Sequence, residues 1–139
     1  SEYRDTYENT ADMEDIIEDH ADINLIVVSV CRQYAYKARK QLLEKGIKAN
    51  IINVLWLKPF DSSIVNKALK QVKRGLVIEP GREICGACES IAYRLMLENP
   101  GTTVHVLGVE DKIKTTNPHN WNEVPHEDKI VEKVLAILK

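Results

Sequence analysis

One pattern limits this chain to very few folds: short β-branched runs without polar alternation, each followed by a stretch of helical period. Leu25-Ile26-Val27-Val28-Ser29-Val30 is such a run, and a strand that is apolar on both sides needs cover on both faces of its sheet. Gln33 to Lys45 then sets Ala35, Ala38 and Leu42 three or four residues apart, with Gly46 following, the pattern of an amphipathic helix closed by a glycine. Ala49 to Val54 is a second strand, centred on Ile51 and Ile52. In the connection after it, Pro59 holds Lys58 extended, and Asp61 is placed to cap a helix whose apolar positions are Ile64, Val65, Ala68, Leu69 and Val72. Gly75 ends that helix, and the third strand, Leu76 to Ile78, stops at Glu79-Pro80-Gly81. A helical pattern restarts near Gly86 and carries Ile91, Ala92, Leu95 and Met96; Asn99-Pro100-Gly101 makes a turn, and Thr103 to Leu107 is a fourth strand with His105 on one face. Residues 108–124 have no periodicity and read as a long loop. The last helix, from Pro125 or His126, offers Ile130, Val131, Val134, Leu135 and Leu138. Strands alternating with amphipathic helices predict an α/β fold of three layers, α/β/α, around a mostly parallel sheet of about five strands with right-handed crossovers.

At 139 residues the chain has the size of one domain. Residues 1–21 read differently from the remainder. Glu2, Asp5, Glu8, Asp12, Glu14, Asp15, Glu18 and Asp19 face one base, Arg4, and few apolar residues accompany them, so this stretch is expected to be an acidic linker or a tag-proximal segment ahead of a domain over 22–139. A start at Ser1 in place of Met fits either a trimmed tag or a piece of a longer polypeptide. The other residues are mildly basic without a basic patch, so no nucleic-acid partner is expected. No run approaches the ~20 apolar residues of a membrane span, and no signal peptide opens the chain. Three cysteines form no even disulfide framework; a reducing, cytoplasmic setting is expected.

Only one motif looks like chemistry. Cys85-Gly86-Ala87-Cys88 stands where the third strand gives way to a helix. In a thioredoxin-like placement the helix start would lower a thiol pKa, and a dithiol redox or small-ligand regulatory module using Cys85 and Cys88 is the alternative reading. As a zinc site the pair lacks partners unless His105, His119 or His126 contributes. Small residues packing a tight junction explain the motif more simply. Gly81 and Gly86 could form an anion-binding nest, yet neither G-x-G-x-x-G nor G-x-x-x-x-G-K-S/T occurs. Glu79, at a strand end, is read as an acceptor of loop hydrogen bonds. Trp56 and Trp121 are read as packing or interface anchors, since no basic groove accompanies them. The residues themselves point to a scaffold without catalytic, cofactor-binding or metal-binding residues.

In order, a helix ending E-K-G-I-K-A, a strand I-I-N-V, then L-K-P-F-D and L-V-I-E-P-G resemble the C-terminal domain of the transketolase family of thiamine-diphosphate enzymes. Leu57, Lys58, Pro59 and Asp61 match one block, Glu79 and Gly81 a second, Gly86, Ile91 and Ala92 a third, and Gly108, Asp111 and Pro125 the last. V-L-G-V-E-D and N-E-V-P are most similar to the beta subunit of 2-oxoacid dehydrogenase decarboxylase components. Cys85 and Cys88 stand where relatives carry glycine. The resemblance implies a C-terminal scaffold and dimerisation domain that is not catalytic on its own. It also implies a preceding pyrimidine-binding domain and a second subunit as partners. Thiamine diphosphate and magnesium would then bind in the full-length enzyme, a transferase or oxidoreductase, and not to this domain alone. Lys58, Pro59, Asp61, Glu79, Gly81 and Gly86 would be structural positions of the family motif.

Overall fold

The computed structural model describes residues 15–28, 30–54, 62–82, 87–109 and 124–139. Four strands, β1 (Ile23–Val28), β2 (Ala49–Val54), β3 (Arg74–Arg82) and β4 (Thr103–Val109), alternate with helices α1 (Cys31–Glu44), α2 (Ser63–Gln71) and α3 (Ala87–Glu98), and α4 (Glu127–Leu138) closes the chain. The sheet order is β2-β1-β3-β4 and every neighbouring pair is parallel. Among the described residues the sheet therefore has four strands, where about five are expected from the sequence. A single antiparallel bridge between Ile16 and Ile51 lies outside them, at the β2 edge.

β1 accounts for the architecture. All six of its residues are buried, because it is central and covered on both faces. Leu25 and Val27 join Ile51, Leu76 and Ile78 in a core beneath α1 and α4, which supply Ala35, Ala38, Leu42, Ile130 and Val134. Ile26, Val28, Ile52 and Val77 join a second core beneath α2 and α3, which supply Val65, Leu69, Ile91 and Leu95. The three-layer arrangement follows from this division.

Several boundaries differ from the sequence pattern. Gly46, with φ +78°, ends α1 as expected: its N–H donates to the Leu43 carbonyl at 3.0 Å, and Ile47 N–H reaches Leu42 at 2.9 Å. Gly75 lies inside β3 and does not end a helix. A Cβ there would approach Leu69 Cδ2 to 3.3 Å and Ile26 Cδ1 to 3.4 Å, so the glycine lets α2 pack close to the sheet. Nor does β3 stop at Glu79. It runs to Arg82 through a register shift between Ile78 and Arg82, a break that accommodates Pro80, which has no N–H for the ladder. Ile64, Met96 and Leu135 lie on outer helix faces and are exposed.

At the amino ends of the strands, Asn24 is fully buried. Its Nδ2 donates to the carbonyls of Val72 (2.9 Å) and Arg74 (3.2 Å), while its Oδ1 accepts from Asn50 Nδ2 at 2.9 Å. This joins β2, β1 and the entry to β3 in one polar row, satisfying groups that would be costly to bury unpaired.

Candidate functional site

The connections fix where a site can form. β1 leads through α1 to β2 on one side, and the chain then crosses back to place β3 on the other side of β1. The strand order reverses between β1 and β3, and the crevice outside the carboxyl ends of two such strands is where open α/β sheets hold ligands. Cys31 opens α1 just after β1, Glu79 lies near the end of β3, and Cys88 is the second residue of α3. Their two helices lie on opposite faces of the sheet, so the reversal brings the three residues to one edge.

Glu79 is 4% exposed. Its Oε1 accepts the backbone N–H of Cys88 at 3.3 Å, and its carboxylate also hydrogen-bonds the Cys88 thiol. Both described cysteines are free and buried. Burial, followed by the hydrogen bond and charge of Glu79 and then the neighbouring Cys31, pushes the Cys88 thiol far above its ordinary range. Burial, followed by the charge of Glu79, pushes Cys31 up to about 12. The effect expected from a helix start is thus reversed: desolvation and an adjacent carboxylate outweigh the helix dipole, and both sulfurs keep their protons. A protonated thiol is a poor nucleophile and a poor metal ligand, so the redox alternative is not favoured.

Cys85, Gly86, Lys58, Pro59, Asp61, Trp56, Trp121 and His119 lie outside the described residues. Gly81 falls within β3. Glu79 acts as the hydrogen-bond acceptor its position suggests, although its donor is the helix start. His105 is half-buried on β4, and burial, with Lys133 adding to it, pulls its pKa below the ordinary value. His126 stacks on Tyr34 with ring centroids 4.3 Å apart. Among the described residues no group of three or more His, Cys, Asp or Glu is placed to hold a metal ion. Cys31 is the residue sequence reasoning missed. The signal for it was indirect: it opens the helix after the first strand, which matters only once β3 is known to lie beside β1.

A model of the transketolase C-terminal domain matches residues 14–124. The chain belongs to this family. The beta subunit of the pyruvate dehydrogenase E1 component from Mesostigma viride is 31% identical over 85 residues, which cover 61% of this chain and 26% of that protein. A subunit of the apulose-4-phosphate transketolase from Phocaeicola vulgatus is 29% identical over 94 residues, covering 68% of this chain and 30% of that one. Among solved structures, a split-gene transketolase, described as an inactive beta4 tetramer, superposes with a TM-score of 0.73 at 20% identity, over 88% of this chain and 40% of the other. The chain thus spans under a third of the length of these curated relatives. The four parallel strands are those of the transketolase C-terminal fold.

Proposed function

We propose that this chain is the C-terminal scaffold and dimerisation domain of a thiamine-diphosphate-dependent enzyme of transketolase or 2-oxoacid dehydrogenase type, not catalytic on its own. The observation that carries this reading is the family match over residues 14–124, in a chain whose aligned residues cover only 26% and 30% of its relatives. Among the described residues of the carboxyl edge, Cys31 and Cys88 keep their protons and the Glu79 carboxylate is committed to Cys88, which is consistent with a structural role for this junction. On this reading thiamine diphosphate and magnesium belong to the parts of the enzyme that precede this domain. A pyrimidine-binding domain and a second subunit are its partners, and a dimer is its assembly. Two free cysteines suit a cytoplasmic, reducing setting. No described helix is long and apolar enough to cross a membrane.

Isothermal titration of the 139-residue chain with thiamine diphosphate and Mg²⁺ is expected to give no binding heat, whereas the chain joined to a preceding pyrimidine-binding domain and its partner subunit binds the cofactor. Saturable binding to the chain alone would overturn the assignment.

A further inference from the structure

We propose that residues 15–20 are a latch on the β2 edge, which opens about His20 as one unit while the sheet stays folded. The end of the acidic stretch does not leave the domain freely. Ile16 and Ile51 exchange two backbone hydrogen bonds of 2.8 Å, closing an edge that would otherwise present unpaired N–H and C=O groups. The carboxylate of Asp15 accepts both the backbone N–H (2.8 Å) and the side-chain amide (3.0 Å) of Asn53. Glu18 N–H donates to Asn50 Oδ1 at 2.8 Å, and its carboxylate meets Arg39 of α1 at 3.2 Å. Ile16 packs against the core under α1.

Two features make this segment separable from the sheet. Apart from the packing of Ile16, its hydrogen bonds and ion pair among the described residues go to the outer edge of β2 and to Arg39 of α1, with Ile17 and the Glu18 side chain exposed. His20 holds a left-handed φ of +63°, costly for a residue with a Cβ. Beyond that strained residue, Asp22 is pinned independently: its carboxylate accepts Lys48 N–H at 2.9 Å and its own N–H donates to the Lys48 carbonyl at 2.8 Å. The hinge lies between two anchored segments, so the outer one can release without disturbing β1.

β2 carries its own control. Successive amides along a strand point to opposite edges, so those of Ile51 and Asn53 face the latch, while those of Ile52 and Val54 face β1. Amide hydrogen exchange of the full chain, read residue by residue by NMR, is expected to show Ile51 and Asn53 exchanging at least about tenfold faster than Ile52 and Val54, the signature of a local opening. Ile16→Pro, which removes a latch N–H, should bring Ile51 and Asn53 close to unprotected rates and leave Ile52 unchanged. His20→Gly, which removes the strain of the closed form, should slow them several-fold. Equal exchange of Ile51 and Ile52 in the unsubstituted chain would overturn the proposal. Loss of Ile52 protection in Ile16→Pro would also overturn it, because the segment would then be an inseparable part of the sheet.

Discussion

Glu79 lies beside two thiols, and its effect on both is to keep the proton on sulfur. A carboxylate so placed makes Cys88 a hydrogen-bond donor and a small packing group. It satisfies the first described turn of α3 and removes reactivity with the same contact. The expected outcome concerns labelling. Iodoacetamide at about pH 8 should leave Cys31 and Cys88 unmodified in the folded chain, because both are fully buried and mostly protonated at that pH. Both should be alkylated once the chain is unfolded in guanidinium, as peptide mass mapping would read site by site. Labelling of Cys88 in the folded state would mean that the edge opens and that the dithiol reading has to be reconsidered.

At the scale of elements, α2 and α3 are joined by a polar cluster. Glu98 Oε2 accepts from Ser62 Oγ (2.9 Å) and Asn66 Nδ2 (2.8 Å), its Oε1 accepts from Arg94 Nε (2.9 Å), and Asn99 Nδ2 donates to Asn66 Oδ1 at 2.7 Å. Hydrogen bonds from Asn66, then Arg94 and Ser62, hold the Glu98 carboxyl at about 2, below its ordinary 4.5. The folded state binds the proton more weakly than the unfolded one, so this contribution is complete above pH 4.5 and is lost as pH falls towards about 2. Glu98→Gln should therefore lower stability at neutral pH and flatten its decline across that window, as urea denaturation at a series of pH values would show. The effect is small because the pair is largely solvated. This cluster also shows where sequence reading stops. The apolar run Leu25 to Val28 of β1 and the spacing of Ala35, Ala38 and Leu42 expose their burial directly, because side-chain period is a local property of strand and helix. Ser62 sits at the start of α2 without capping it through its side chain; its hydroxyl serves Glu98, 36 residues away. Asn24 and Asn50 interrupt apolar strands and look like defects until their 2.9 Å hydrogen bond is seen. Cys31 and Glu79 likewise acquire meaning only from strand order, which no local pattern contains.

The whole molecule is two cores sharing one sheet, and that sharing governs how it should unfold. Leu76 and Val77 are consecutive residues of β3, both fully buried, yet they face opposite layers: Leu76 packs with α1 and α4, Val77 with α2 and α3. Neither layer can lose its helices without exposing one side of β1, whose residues have no solvent-facing side, so separate melting of either face would strand apolar surface on the strand both depend on. A domain of this size with such a shared centre is expected to unfold in one cooperative step. Leu76→Ala should cost about 2–5 kcal/mol, and Val77→Ala somewhat less because fewer buried carbons are removed. Each loss should appear equally in both layers. Exchange of the slowest amides of α1 and α3, followed with increasing urea, provides the test: both substitutions should lower the opening free energies of the two helices together. A Val77→Ala variant that loosens α3 and leaves α1 untouched would show that the layers are energetically independent, and the picture of one scaffold carrying load across both faces would fail with it.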